Sequence, residues 1–290
     1  MAEPRHKQVT HLLIGGMSTA AVGVEEVFSW LSPWRRRSNN VAKNVWFIGG
    51  PDGEMVEIEK LLISLGEEVV NLGLGWGAKA LDYLPQILAV MERGDTPVLI
   101  ELDGLLVVNH HMDDSGREAS ILQVCAILGK EPTRWMQLVA ANDVSGFFGL
   151  RDFGATPEDI ERTMRFDREA QGFTLEMEAI SAQAVADAEY IVDIDLTIVY
   201  LPFSKFAAAK AILWLSGHKN IVCIAADGEI EFQGDGAVAK AVAKEFASSN
   251  PWSGGSGLGH AGRPDAYVGG YANTEKLVEF VQAQLGSTFR

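Results

Sequence analysis

The chain has 290 residues, of which 47% are apolar and 22% are charged, a composition typical of a globular protein with one large domain or two smaller ones. Its net charge of −15 disfavours a broad basic face, so we expect no duplex nucleic acid among its partners. No apolar run is long enough for a membrane span, the first residues lack a secretory signal, and the only cysteines are Cys125 and Cys223. A cytoplasmic protein without membrane partners or disulfides is therefore the expectation.

Residues 1–43 precede the regular alternation of strands and helices. Within them, residues 10–31 have the pattern of a strand followed by a helix. We expect this segment to be an extension that joins the first domain, with His11 in a structural role.

From residue 44 onward, apolar strands alternate with helical patterns. The predicted strands are 44–50, 67–74, 96–102 and 105–111, and the predicted helices between them are 54–66 and 80–94. Hydrophobicity within these strands is continuous rather than alternating, which indicates strands covered on both faces. The sequence therefore predicts an α/β fold whose first lobe is a mostly parallel sheet flanked by helices.

The stretch from 117 to 190 is predicted to be almost entirely helical, after which the strand pattern returns. The predicted helices are 117–129, 133–143, 156–167 and 169–189, with Thr156 as the N-cap of the third. Strands are then predicted at 190–201, 220–227, 230–234 and 266–270, with helices at 205–217, 237–247 and after residue 271. This change places a domain boundary near 188–196, dividing the chain into 44–190 and a smaller α/β lobe at 191–290.

Acidic and imidazole side chains follow several of the first strands, where open α/β sheets place their sites. They are Asp52 and Glu54 after the first strand, Glu101 and Asp103 after the third, His110 and His111 after the fourth, and Asn142 and Asp143 in a later helix. Hard oxygen ligands mixed with imidazole suit a divalent cation such as Mn²⁺, and two ions could share carboxylates and promote phosphoryl transfer. The alternative is that the Asp-Gly pairs are ordinary turns and the histidines a polar strand end.

A glycine-rich stretch, "GGSGLGHAGRPD" (254–265), precedes the last predicted strand. Glycines allow backbone N–H groups to approach an anion closely, and a histidine or arginine can then bind a phosphate. The candidate substrate-binding residues here are Gly255, Gly257, Gly259, His260 and Arg263. A flexible connector is the alternative interpretation.

These segments resemble the motifs of the DHH phosphoesterase superfamily, metal-dependent enzymes that cut phosphodiester or phosphoanhydride bonds. The similar segments are "PDGEMVEIEKLLISLGEEV" (51–69), "VVNHHMDDSGREASILQV" (107–124), "AAND" (140–143) and "GGSGLGHAGRPDAYVGG" (254–270). The last of them resembles the glycine loop and Gly-Gly strand of the C-terminal domain associated with that family. The resemblance covers about residues 44–290.

By this resemblance, one or two Mn²⁺ ions, or Mg²⁺, would be held by Asp52, Glu54, Asp103, His110, His111 and Asp143. His110, His111 and Asn109 would be the catalytic residues, and the glycine loop would bind substrate phosphate. The chain departs from the family pattern in having Asn109 at the naming aspartate and Glu54 at the second acid of the first motif. It also has Phe47, Ile48, Gly49 and Gly50 where a histidine is usual, and Asp82 and Asp95 are alternatives to Asp103.

The resemblance implies a hydrolase that acts on a small nucleotide or short oligonucleotide in a cleft between two lobes. Its alternative is a relative that has lost catalysis and binds a nucleotide or phosphorylated ligand as a sensor or partner-binding protein; a structural role is the third hypothesis. The apolar segment 98–108 could form part of a homodimer interface. Trp135, Trp214 and the pair Phe147-Phe148 are interpreted as core or interdomain packing, or one phenylalanine could stack on a base.

Overall fold

The computed structural model of the protein describes residues 42–75, 77–102, 107–109 and 117–288. The predictions for residues 1–41 and for Asp103, His110 and His111 lie outside this part of the chain. In the described ranges the fold is a mixed α/β structure with two separate β-sheets and nine α-helices.

The first sheet has four strands, all paired in parallel, in the order β2-β1-β3-β4. Its elements are β1 (Asn44–Phe47), α1 (Gly53–Ser64), β2 (Glu68–Val70), α2 (Leu84–Glu92), β3 (Thr96–Ile100) and β4 (Val107–Val108), with a short 3₁₀ turn (Ala80–Tyr83) before α2. The predicted parallel sheet is thus confirmed.

Strand β1 shows why its sequence is apolar at every position. Successive side chains of a strand point to opposite faces. Trp46 belongs to the core cluster on one face, with Ile58 and Ile121, whereas Phe47 belongs to the cluster on the other, with Ile87. Both faces are covered, so neither residue meets solvent.

The pairing of β3 with β4 corrects one reading of the sequence. Leu99 lies opposite Val107 and Ile100 opposite Val108, in parallel register. The predicted strands 96–102 and 105–111 are therefore not the two arms of a β-hairpin, which an ordinary turn at the Asp-Gly pair between them would give, because a hairpin joins antiparallel strands.

Four helices follow the first sheet: α3 (Ser120–Ile127), α4 (Arg134–Phe153), α5 (Pro157–Ala170) and α6 (Leu175–Ala186). The predicted cap is confirmed, since the Thr156 side chain accepts a hydrogen bond from Asp159 N. The predicted helix 169–189 is wrong at its start, because Gly172 adopts a φ of +77° and ends α5. Helix α4 is longer than predicted and is broken at Ser145 and Gly146, whose backbone is not helical.

The second sheet has six strands in the order β5-β6-β7-β8-β10-β9. Its elements are β5 (Glu189–Ile191), β6 (Leu196–Leu201), α7 (Ala207–Leu215), β7 (Asn220–Ala225), β8 (Glu229–Gly234), α8 (Gly236–Glu245), β9 (Trp252–Gly254), β10 (Ala266–Tyr271) and α9 (Thr274–Thr288). Only β6 and β7 pair in parallel; the other neighbours are antiparallel. The single predicted strand 190–201 is wrong, because Asp195 has a φ of +48° and turns β5 back against β6.

Helix α7 links the two sheets by packing against α4 and α5. Ala211 belongs to one buried cluster with Leu138, Leu150, Ile160 and Met164. The ring of Trp214 lies 6.2 Å from that of Phe147 and 5.7 Å from that of Phe148, between centroids. The predicted packing role of these aromatic residues is confirmed. None of the helices in the described ranges is long and apolar enough to cross a membrane.

Candidate metal centre

Asp52 opens helix α1 at the carboxyl end of the first strand. Its Oδ1 accepts a hydrogen bond from Met55 N at 2.8 Å, which is the usual N-cap interaction. The side chain is almost fully buried, and its Oδ2 has no hydrogen-bond partner among the described residues. A buried carboxylate oxygen without a donor is costly, which suits a cation in that position.

Helix α3 begins beside two further carboxylates. Ile121 N donates to Glu54 Oε1 at 3.0 Å, and Ser120 Oγ donates to Glu101 Oε1 at 2.9 Å. The two acids come from the first turn of α1 and from the end of β3, so one helix start positions both. Backbone N–H groups and the dipole at a helix N-terminus favour such anions.

Glu101 has a left-handed backbone conformation, with a φ of +51°. Glycine at position 49 makes room for it: a Cβ at Gly49 would lie 2.9 Å from the carbonyl oxygens of Ile100 and Glu101. The chain therefore has no space for a side chain at Gly49, one of the positions where the family histidine is usual. A strained conformation held by its surroundings is common at functional sites.

Asp143 completes an acidic trio from α4, two residues before the break at Ser145. One carboxylate oxygen from each of Glu54, Glu101 and Asp143 lies within 4.8 Å of the other two. Three carboxylate oxygens at this spacing could bind a divalent cation.

A fourth element, α5, contributes Asp167 next to the trio. Its Oδ1 accepts from Gly53 N at 2.9 Å and its Oδ2 from Gln171 Nε2 at 2.8 Å, and Asn142 also hydrogen-bonds to it. A Cβ at Gly53 would lie 3.0 Å from Asp167 Cα, so glycine allows α5 to dock on the start of α1.

The electrostatics of the cluster oppose full ionisation. Burial, followed by the charges of Asp143 and Glu101, raises the pKa of Asp52 well above its ordinary value. Burial also raises the pKa of Asp167, to which the charge of Asp143 adds. A bound cation would reverse this repulsion and favour the ionised carboxylates.

Of the six predicted metal ligands, Asp52, Glu54 and Asp143 lie together in the structure. The other three, Asp103, His110 and His111, lie outside the described residues. Asn109 is half-buried after β4, where its backbone oxygen accepts from Gln123 Nε2 at 3.0 Å. Both alternatives to Asp103 have other partners: Asp82 accepts from Lys79 N, and Asp95 from Lys43 N and Arg93. Glu101 was not among the predicted ligands, although it follows the third predicted strand, and Asp167 was not predicted at all.

The glycine-rich loop lies against the broken part of α4. Ser256 Oγ and Ser145 Oγ are 3.0 Å apart, which places the loop near Asp143. Arg263 is exposed and forms an ion pair with buried Asp265, with Nη2 2.9 Å from Oδ2. That pairing raises the pKa of the Arg263 guanidinium and lowers the pKa of the Asp265 carboxyl against the effect of its burial.

The glycines of the loop have identifiable packing roles. Gly255 and Gly259 have φ values of +91° and +86°, which favour glycine. A Cβ at Gly257 would collide with the Asp265 side chain, and Gly259 N donates to Gly236 O at 2.7 Å. His260 is exposed at the end of this turn.

No protein-family model matches the chain. Among curated proteins it is 32% identical over 118 residues to a protein described as a probable peptidoglycan glycosyltransferase FtsW from Burkholderia thailandensis. This match covers 38% of the chain and 26% of the relative, so the chain spans about a quarter of the length of the curated protein that it matches.

Among solved structures, the chain is similar to an exopolyphosphatase-related protein from Bacteroides fragilis, with a TM-score of 0.46 and 13% identity over 93% of this chain and 98% of that one. It is also similar to the pGpG-specific phosphodiesterase PggH from Vibrio cholerae, with a TM-score of 0.41 and 11% identity over 86% of this chain and 99% of that one. TM-scores below 0.5 are too low to support a conclusion about function. The functional proposal is therefore based on the geometry of the acidic cluster.

Proposed function

We propose that the protein is a metal-dependent phosphoesterase that hydrolyses a phosphodiester or phosphoanhydride bond in a small nucleotide or short oligonucleotide. The observation that carries the proposal is the convergence of Glu54, Glu101 and Asp143 within 4.8 Å beside a buried Asp52 oxygen that has no donor in the described part of the chain. Three separate segments supply these oxygens: the start of α1, the end of β3 and α4. Such a set of hard ligands suits Mn²⁺ or Mg²⁺.

In this proposal Asp52, Glu54, Glu101 and Asp143 hold one or two ions, and the family resemblance adds Asp103, His110 and His111. A divalent cation, when bound, lowers the pKa of water and neutralises the charge that develops on phosphoryl oxygens. The chain itself supplies rigidity: the start of α3 holds Glu54 and Glu101, and Asp167 fixes α5 to the start of α1. Fixed ligands keep the reacting geometry.

The glycine-rich loop supplies the substrate side of the proposed site. The hydrogen bond between Ser145 and Ser256 supports this role, because it brings the loop to the helix that carries Asp143. His260 and Arg263 are exposed there and have N–H donors for a phosphate. Gly255, Gly257 and Gly259 allow the tight backbone turns of the loop that carries His260 and Arg263.

The test is hydrolysis of bis-p-nitrophenyl phosphate and of short dinucleotides by the purified chain with Mn²⁺ or Mg²⁺. We expect turnover that Asp143→Asn reduces by about a hundredfold or more, since it removes a ligand carboxylate. Asp193→Asn makes the same charge change at an exposed position and should leave the rate unchanged. Absence of turnover with every cation, together with equal Mn²⁺ binding by wild type and Asp143→Asn, would reject the proposal.

One observation favours a second candidate function, binding without hydrolysis. Gly49 has no room for a side chain against Ile100 and Glu101, and Asn109 is neutral, so two ligands of the family pattern are absent at these positions. A site with fewer ligands would hold a nucleotide or phosphorylated ligand as a sensor or partner-binding protein. Saturable nucleotide binding, with the nucleotide recovered intact after long incubation with Mn²⁺, would select this alternative.

A further inference from the structure

A cavity of about 130 Å³ lies between α4, α5 and α7, where the helices of the two sheets meet. It borders the acidic cluster, because Asn142 and Asp167 form part of its wall and Asn142 directly precedes Asp143. Its polar wall continues with Arg168 of α5 and Lys210 of α7. Two cations from different helices therefore line one small space next to the proposed metal centre.

Arg168 is buried and uses only part of its hydrogen-bonding capacity. Its Nε and Nη2 donate to the two oxygens of Glu178 at 2.6 and 3.2 Å. A guanidinium has five N–H donors, and Nη1 makes no hydrogen bond to any described residue. The ion pair fixes the side chain in place and leaves donors for another acceptor.

Lys210, on α7, also has unused hydrogen-bonding capacity. Its ammonium group forms a close ion pair with Glu231 and lies 3.5 Å from Gln233 Oε1, and its side chain is largely buried. An ammonium has three donors, and the distance to Gln233 is long for a hydrogen bond. At least one of its protons is therefore available.

The rest of the cavity wall offers few acceptors. Met164 and Trp214 are apolar neighbours, and the buried indole N–H of Trp214 has no acceptor among the described residues. Asp167 is the acidic member of the wall, but each of its oxygens already accepts an N–H hydrogen bond, from Gly53 and from Gln171. The region has an excess of donors, which a ligand rich in acceptor oxygens would satisfy.

We propose that this cavity is an oxyanion subsite in which Arg168 and Lys210 bind a non-reacting phosphate group, while a second phosphate of the same substrate lies at the carboxylate cluster. This inference rests on the proposed function and narrows its substrate class to molecules with two or more phosphates. Each cation already has a carboxylate partner, so recognition comes from directed hydrogen bonds rather than from net positive charge.

The test measures binding of inorganic phosphate to the full chain, freed of metal with EDTA, by isothermal titration calorimetry. The variant Lys210→Met/Glu231→Gln removes both members of the buried pair, so that no lone charge is left inside. The matched control Arg93→Met/Glu68→Gln neutralises an exposed ion pair. Circular dichroism and thermal unfolding establish that both variants are folded.

We expect phosphate to bind wild type and the control equally, and to bind the Lys210 variant about tenfold or more weakly, as for the loss of one hydrogen bond to a charged group. Equal binding by the Lys210 variant and wild type, or no saturable phosphate binding by wild type, would overturn the subsite. With Mn²⁺ present, methylenediphosphonate should likewise lose affinity for the variant, whereas methylphosphonate, whose single phosphonate group binds at the metal, should not. The calorimetry requires neither metal nor turnover. Its result can therefore be interpreted even if the phosphoesterase proposal fails.

Discussion

Replacement of Asp52 by asparagine should stabilise the metal-free protein and weaken its binding of Mn²⁺. Asparagine is about as good an N-cap as aspartate, so the hydrogen bond from Met55 N is retained. The change removes one negative charge from a buried group of carboxylates. In the absence of a cation, that charge is repelled by Asp143 and Glu101.

The magnitude follows from the spacing of the cluster. The carboxylate oxygens of the neighbouring trio lie within 4.8 Å of one another, and we take the same spacing for Asp52; two like charges at that separation repel by about 3 kcal/mol at an effective dielectric constant of about 20. Protonation limits the total, because neutralising an aspartate with an ordinary pKa of about 3.9 costs about 4 kcal/mol at pH 7. We therefore expect Asp52→Asn to raise the free energy of unfolding of the metal-free chain by about 2 to 4 kcal/mol at neutral pH.

The pH dependence gives a second readout. The pKa of Asp52 is raised in the folded state, so the folded chain retains a proton that the unfolded chain releases. The contribution of Asp52 to wild-type stability in EDTA should be greatest below the ordinary pKa of about 4 and should be lost as the pH rises through the raised folded pKa. The advantage of Asp52→Asn should therefore be small at pH 5 and larger at pH 8.

Urea unfolding in EDTA at both pH values measures these differences, with Asp193→Asn as the exposed control. Addition of Mn²⁺ should stabilise wild type more than Asp52→Asn, because the variant lacks a ligand oxygen. If Asp52→Asn is less stable than wild type in EDTA at pH 8, or if its advantage does not grow with pH, the repulsion inferred for the cluster is refuted.

Three further predictions concern the support of the site and the core. Ser120→Ala removes the donor to Glu101 Oε1 and should weaken Mn²⁺ binding, measured by calorimetry, about 10- to 100-fold; unchanged affinity would show that Ser120 does not position Glu101. Gly49→Ala should lower the free energy of unfolding by about 1 to 3 kcal/mol through its clash with Glu101, whereas Gly75→Ala, with nothing within 4 Å of the added Cβ, should cost less; equal losses in urea would contradict this. Burial raises the pKa of Cys223, so its thiol should react with Ellman's reagent only after unfolding, and rapid reaction of the native chain would disprove that burial.

The first sheet was predictable because its strands are apolar on both faces. Trp46 and Phe47 are adjacent in sequence yet face different core clusters, which only a sheet covered on both sides allows. The interruptions at Gly172 and Asp195 were not predictable in the same way. Each lies inside a continuous helical or apolar pattern, and each is fixed by a left-handed backbone conformation that depends on neighbouring elements.

The candidate site was predictable only in part. Asp52 was found because it follows the first predicted strand, where open α/β sheets place their sites, and Asp143 because it lies in a segment that resembles a family motif. Asp167 gave no such signal, since it is one of several acids on an amphipathic helix and its partner Gly53 is 114 residues away in sequence. Glu101 was not chosen as a ligand because the sequence alone does not show that its side chain turns towards the cluster.

The break in α4 divides this helix into two halves with different partners. The half before Ser145 carries Asp143 and belongs to the acidic cluster, whereas the half after Gly146 carries Phe147 and packs on Trp214 of α7. Both halves also pack on α7, since Leu138 from the first half and Leu150 from the second share one buried cluster with Ala211. The break thus lets a single helix serve both sheets, with Asp143 directed to the acidic cluster and the aromatic pair directed to α7.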